Sequence, residues 1–167
     1  YGYFTIYLRE SIPDCPMPGL VWLLGPISEI PIIFFSRRIM ARTGVRLMFA
    51  AGLAGIMVRL VALSAATSVW HVVPLQLLHA LTFGAYHVAS VAYVTQTVPV
   101  QMKSTAQTLF AALTLGLGGL VGGLLAGGVA HAEDVRTMYL WFAGLAAAAL
   151  LVMLIVPPPR RQPAGAP

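Results

Sequence analysis

The chain has 167 residues, of which 59% are hydrophobic and only 9% charged, and its mean hydropathy is +0.84. A soluble domain carries roughly 25% charged residues, and a water-soluble fold of this length could not cover so much apolar surface. The composition specifies an all-α integral membrane protein, and the formal net charge of +5 is read as membrane topology rather than as affinity for nucleic acid.

A bilayer core takes about 20 apolar residues per helix. Residues 1–8 read as a truncated first helix, ended by Arg9, Glu10, Pro13 and Asp14. Full spans follow over 20–36, 47–67, 72–98, 104–130 and 139–156, joined by short loops that make neighbours antiparallel. Together, 1–157 form one helical bundle, and the proline-rich 158–167 is expected to be a disordered cytoplasmic tail. The chain starts on Tyr1 inside an apolar stretch, with no signal-peptide pattern, and is expected to be a fragment. The lone Cys15 cannot form an internal disulfide.

Charge sets the orientation. Arg37, Arg38, Arg42, Arg46, Lys103, Arg160 and Arg161 fall on one side, against Arg9 and Arg136 on the other. By the positive-inside rule the richer side, including the C-terminus, is cytoplasmic. Two ionisable residues fall mid-span instead: Glu29 in "GPISEIP" and Arg59 in "GIMVRLVAL". A charge at that depth costs roughly 2.5–3.5 kcal/mol on insertion scales, so both must face protein or a wet cavity. Either they form a structural Glu29–Arg59 pair that locks two helices, or they belong to a substrate or proton site. Pro26 and Pro31 flank the acid and remove helix hydrogen bonds, which is tolerated beside a cavity.

In the fourth span Gln76, His79, Thr82, Tyr86, Ser90, Tyr93 and Thr97 fall on one broad face at helical spacing, with His87 at its margin. Such a stripe suits a hydrated substrate cavity, and His79 can titrate near neutral pH. Interhelical hydrogen bonding is the plainer reading, and for His87 packing is expected. The fifth span, "LTLGLGGLVGGLLAGG", places Gly118, Gly119, Gly122, Gly123 and Gly127 in small-xxx-small pairs that predict close helix packing. No nucleotide loop, H-E-x-x-H, G-x-S-x-G or Cys/His cluster is present, so no enzyme, metal or cofactor is expected.

These features resemble the C-terminal half of a major facilitator superfamily transporter. "ARTGVR" sits where that superfamily carries G-x-x-x-D-R-x-G-R-R: Arg42, Gly44 and Arg46 match, while Arg37 and Ala41 replace the first Gly and the Asp. "YGYFTIYLRE", "SEIPIIFFSRR" and "LLHALTFGAYHVASVAYV" resemble helices of the oligosaccharide and nucleoside proton symporters, especially the phenylpropionate-permease-like members. The spacing from Arg59 to His79 resembles that of the proton-coupling arginine and histidine in the lactose-permease type, which implies that role here. Thr82 stands where that type has its acid, leaving Glu29 as the intramembrane carboxylate. The resemblance implies proton-coupled uptake of a small organic solute, such as an aromatic acid or nucleoside, through a bacterial inner membrane. It also implies a missing N-terminal six-helix half and alternating access between the halves. The reading from another class is a non-transporting multispan protein, a sensor or assembly partner.

Overall fold

Backbone amides in lipid must be satisfied within the chain, and only helices achieve this without pairing to another segment. The computed structural model describes residues 2–156, and every regular element among them is helical. Tyr1 and the tail expected over 158–167 lie outside the described residues. Helix α1 spans Gly2–Ser11, α2 Pro18–Thr43, α3 Val45–Ala65, α4 Val69–Thr97, α5 Val100–Ala132 and α6 Val135–Ile155. The last five are long and apolar enough to cross a membrane.

The helix ends follow local chemistry rather than the edge of the apolar stretch. Pro18 opens α2 at a position where its missing N–H is not needed. The expected end at Ser36 is overrun, because Arg37, Arg38 and Arg42 are good helix formers and continue the helix to Thr43. Gly44 then turns the chain with φ +80°, and α3 begins at Val45. The expected basic loop is thus a single glycine between two helices. Arg46 lies on α3, where its Nη2 donates to the carbonyls of Met153, Leu154 and Val156 at 2.8, 3.1 and 2.8 Å. It satisfies carbonyls that the end of α6 would otherwise leave open. At the other end of α6 the Asp134 carboxylate accepts from the Thr137 amide at 2.6 Å. Those backbone hydrogen bonds hold the exposed Asp134 carboxyl below the usual carboxylate range.

Two spans contain π-helical turns, Ala80–Ala85 within α4 and Ala112–Leu117 within α5. Nothing in the composition of either segment announces this. Helix α3 is central, packed along α6 and along α4, while α2 packs on α4. The larger core lies at the end of the bundle where α1 and α3 finish and α6 begins, around Tyr7, Leu8, Ile12, Leu63 and Met138. There the Tyr7 hydroxyl donates to the Leu63 carbonyl at 2.7 Å. Helix α5 is the most exposed span, with Ala126 its one buried residue among those described.

Close packing by glycine occurs, but not where the fifth span predicts it. A Cβ on Gly119, Gly122 or Gly123 would meet nothing within 4 Å, and one on Gly118 only its own helix at Leu113. Gly127 alone of that set is crowded, by the Tyr3 hydroxyl. The physical reason is that α5 turns its glycine face to open space within these residues, so small size there serves no contact inside the chain. The tight positions are Gly25 on α2, Gly52 and Gly55 on α3, and Gly84 on α4. A Cβ on Gly52 would sit 2.9 Å from the Tyr86 Cβ and 3.1 Å from its backbone. Gly52→Val should therefore lower stability in detergent by about 1–3 kcal/mol, because backbone cannot move aside as a side-chain tip can. Gly144→Val, with open space around it, is the control. Thermal unfolding that ranks the two variants equally would remove the argument for a packed seam at Gly52.

Candidate functional site

The glycines bring α4 against α2 and α3, and the mid-membrane polar residues meet there. A Cβ on Gly25 would lie 3.0 Å from the His79 ring, and one on Gly84 would lie 3.5 Å from the Glu29 side chain. Each helix thus contributes a gap opposite the other's polar side chain. Across it Glu29 Oε1 lies 3.1 Å from His79 Nε2, with both side chains largely buried. Of the two alternatives for the mid-span charges, the Glu29–Arg59 pair is thus not the one formed. The close polar contact of Glu29 is with the histidine, while the Arg59 guanidinium is taken up by acceptors on α4.

Arg59 has other acceptors. Its Nε donates to the Leu75 carbonyl at 3.0 Å, and its Nη2 donates to Gln76 Oε1. Gln76 in turn donates from Nε2 to the Val21 carbonyl at 2.9 Å, so this buried carboxamide ties α3 to α2. Ser28 Oγ donates to the Gly25 carbonyl at 2.6 Å and reaches the Gln76 carbonyl at 3.3 Å. On the far side of the histidine, Thr82 Oγ1 lies 3.4 Å from His79 Nδ1 and donates to the His79 carbonyl at 3.2 Å. The π-helical turn begins immediately after His79.

Two cavities adjoin this network. One, of about 540 Å³, is lined by Gln76 on α4, by Leu60 and Leu63 on α3, and by Gly118 to Ala126 on α5, with Tyr3, Trp22 and Tyr139 around them. The other, of about 290 Å³, is lined by Ile56 on α3, by Thr82 to His87 on α4, and by Phe110 to Leu115 on α5. On α3 and α5 the first cavity takes the later residues and the second the earlier ones. On α4, which follows α3 antiparallel, the order reverses. The cavities are therefore stacked along the bundle axis, and Arg59 and His79 line both. Those two side chains form the partition.

Of the expected cavity residues, Gln76 lines the larger space and Thr82 and Tyr86 the smaller. Tyr93 lines neither and is 47% exposed. A face counted at 3.6 residues per turn drifts once the chain passes through a π-helical segment with i→i+5 bonding, so the last members of the stripe leave the interior. Gly118, Gly119, Gly122 and Gly123 contribute to the larger cavity's wall rather than to a helix contact. Arg42 and Gly44 lie at the α2–α3 junction, well along the chain from this site. What the sequence reading missed is the set Gly25, Gly52, Gly55 and Gly84, together with the stacking of His79 on Phe83 at 5.6 Å and of Phe83 on His87 at 5.7 Å. The i, i+4, i+8 spacing of those rings was available as a signal.

Comparison with known proteins follows the same lines. Residues 1–142 match the family described as the MFS_1 like family. Over 146 residues the chain is 26% identical to YwbF, an uncharacterized transporter of Bacillus subtilis (strain 168), covering 86% of the chain and 36% of that protein. The crystal structure of the nucleoside transporter NupG superposes with a TM-score of 0.78 at 17% identity, covering 93% of this chain and 43% of that one. A point mutant of NupG gives 0.81 at the same identity, covering 91% and 42%. The chain thus spans less than half the length of each, and at this identity the structural likeness speaks for the fold. It is an integral, helical membrane protein with the fold of part of a major facilitator transporter, and it belongs to the MFS_1 like family.

Proposed function

We propose that the chain forms the C-terminal six-helix half of a secondary active transporter. That transporter takes up a small organic solute, an aromatic acid or a nucleoside, together with protons. The observation that carries this reading is the partition: Arg59 and His79 separate two cavities stacked along the membrane normal, and His79 is held by Glu29. A titratable pair between two aqueous spaces can take a proton from one and give it to the other. The nucleoside alternative draws support from the likeness to NupG. By the positive-inside rule the arginines around Gly44 would face the cytoplasm, so the larger cavity would lie toward the outside and the smaller toward the inside. Solute would sit against the larger cavity, whose open glycine face would meet the partner half, and rocking of the halves would exchange access.

In this scheme Glu29 and His79 carry the proton and Arg59 sets the field around them. With one proton held between them, the carboxyl and the imidazole share a hydrogen bond that clamps α2 to α4. When a proton is lost from the pair the clamp weakens, which couples titration to helix contact. In the full-length transporter, Glu29→Gln keeps the hydrogen bond but cannot release a proton. With uridine and phenylpropionate as probes in proteoliposomes, the variant should retain counterflow exchange, while accumulation driven by a pH gradient falls toward the equilibrium ratio. If the pair were only a lock, Glu29→Gln would still accumulate, or adding His79→Gln would restore uphill transport; either result contradicts coupling.

The network also predicts how the side chains divide. Gln76→Leu removes an acceptor from Arg59 and the donor to the Val21 carbonyl, and should cost about 2–3 kcal/mol of stability. Tyr93→Phe, at an exposed position outside both cavities, should change stability by under about 0.5 kcal/mol and leave uptake intact. Thermal unfolding and probe uptake measured on both variants check this. A transport defect in Tyr93→Phe would return that residue to the solute path.

A further inference from the structure

His87 is the titratable side chain that the scheme above does not use. It lies two turns beyond His79 on α4, about 12 Å further along the helix toward the Lys103 end. Its ring stacks on Phe83, 5.7 Å between centroids and nearly coplanar at 3°. Neither ring nitrogen has a hydrogen-bond partner among the described residues, and the side chain lines the smaller cavity. A half-buried imidazole with both nitrogens unmatched by protein takes its hydrogen bonds from water. The cavity can supply it. At about 30 Å³ per water its 290 Å³ holds several, and Thr82, Tyr86 and Thr114 offer hydroxyls to anchor them.

The same cavity touches His79 through Thr82, whose hydroxyl lies 3.4 Å from Nδ1, the nitrogen turned away from Glu29. The charged and titratable groups around the cavity are Arg59 on α3 and His79, Tyr86 and His87 on α4; α5 contributes Thr114 and apolar side chains, and Glu29 on α2 reaches the cavity only through His79. Thr82 and His87 line the same cavity, so water within it can join the Glu29–His79 pair to His87, while the Phe83 ring lies between the two imidazoles.

Resting on the proton-coupling reading above, we propose that His87 is a second proton-carrying residue. It relays the proton between the Glu29–His79 pair and the cytoplasmic side through water in the smaller cavity. Imidazolium His79 gives its Nδ1 proton to cavity water, which passes one to neutral His87; His79 returns to the neutral form, and His87 releases its proton to cytoplasmic water.

The test follows Glu29 itself. In vesicles of the full-length transporter reconstituted with the cytoplasmic face outward, the external pH is stepped and the protonated-carboxyl stretch of Glu29 is followed by time-resolved infrared spectroscopy. His87→Ala and His87→Gln should slow the response about 100-fold, the size of effect a positioned proton carrier contributes. Added imidazole should restore the rate in His87→Ala, where the side chain has left room. A step applied to the opposite face should be answered at the normal rate in both variants, because that route enters through the larger cavity. Wild-type speed in either variant, or failure of imidazole to rescue His87→Ala, would overturn the relay and leave the coupling reading standing. If Glu29 of the wild-type protein does not titrate, the coupling reading falls and the relay with it.

Discussion

Everything proposed for this chain depends on how closely α4 can approach α2 and α3. Packed helices approach to about 8–10 Å according to the side chains at the contact, and bulkier residues at positions 25 and 84 would wedge a gap between Glu29 and His79. Glycines remove that gap on both sides: Gly25 opposite the His79 ring and Gly84 opposite Glu29, with Gly52 and Gly55 admitting Tyr86 and Thr82 to α3. In membranes, association is driven by packing rather than by hydrophobic exclusion, so a small residue at the right position decides where two helices touch. Here the position of contact is also where Glu29 and His79 meet.

Contact alone would not make the buried charges tolerable. Insertion of an arginine at mid-bilayer is costly, and the structure offsets it with the Leu75 carbonyl and the Gln76 carboxamide, while Gln76 is itself spoken for at its other end by Val21. Such a network fixes Arg59 in one place. In the proposed scheme a fixed cation next to the Glu29–His79 pair would set a constant field, so that a proton arriving or leaving would change one contact, the α2–α4 clamp, rather than rearrange the whole bundle. The two π-helical turns lie on either side of the smaller cavity, where i→i+5 bonding leaves the backbone less regular than in the helices around it.

The helical spans and the identity of the mid-membrane residues were legible in the sequence, because hydropathy and the cost of a buried charge act locally. Glu29, Arg59 and His79 stand out by type alone, and all three meet around one partition. Pairing was not legible. Arg59 is the obvious partner for an acid on charge grounds, yet reach is decided by helix separation, and the glycines that set it are scattered singly over α2, α3 and α4. The dense repeat on α5 attracted the packing argument instead, although its Gly119, Gly122 and Gly123 face open space. Tyr93 was lost for a related reason: a π-helical turn shifts a face that straight counting carries through. The extension of α2 past Ser36 shows that a run of charged residues need not end a helix.

The central claim is that Glu29 and His79 titrate as one coupled pair across the partition. It is tested most directly by titrating the Glu29 carboxyl in the full-length transporter by infrared spectroscopy, in the wild type and in His79→Gln. Two groups that share a proton site have titration curves belonging to the pair, so removing the imidazole should move the Glu29 midpoint by about one pH unit or more. An unchanged midpoint would mean that the two side chains are neighbours without coupling, and the account of the partition as a proton switch would be wrong.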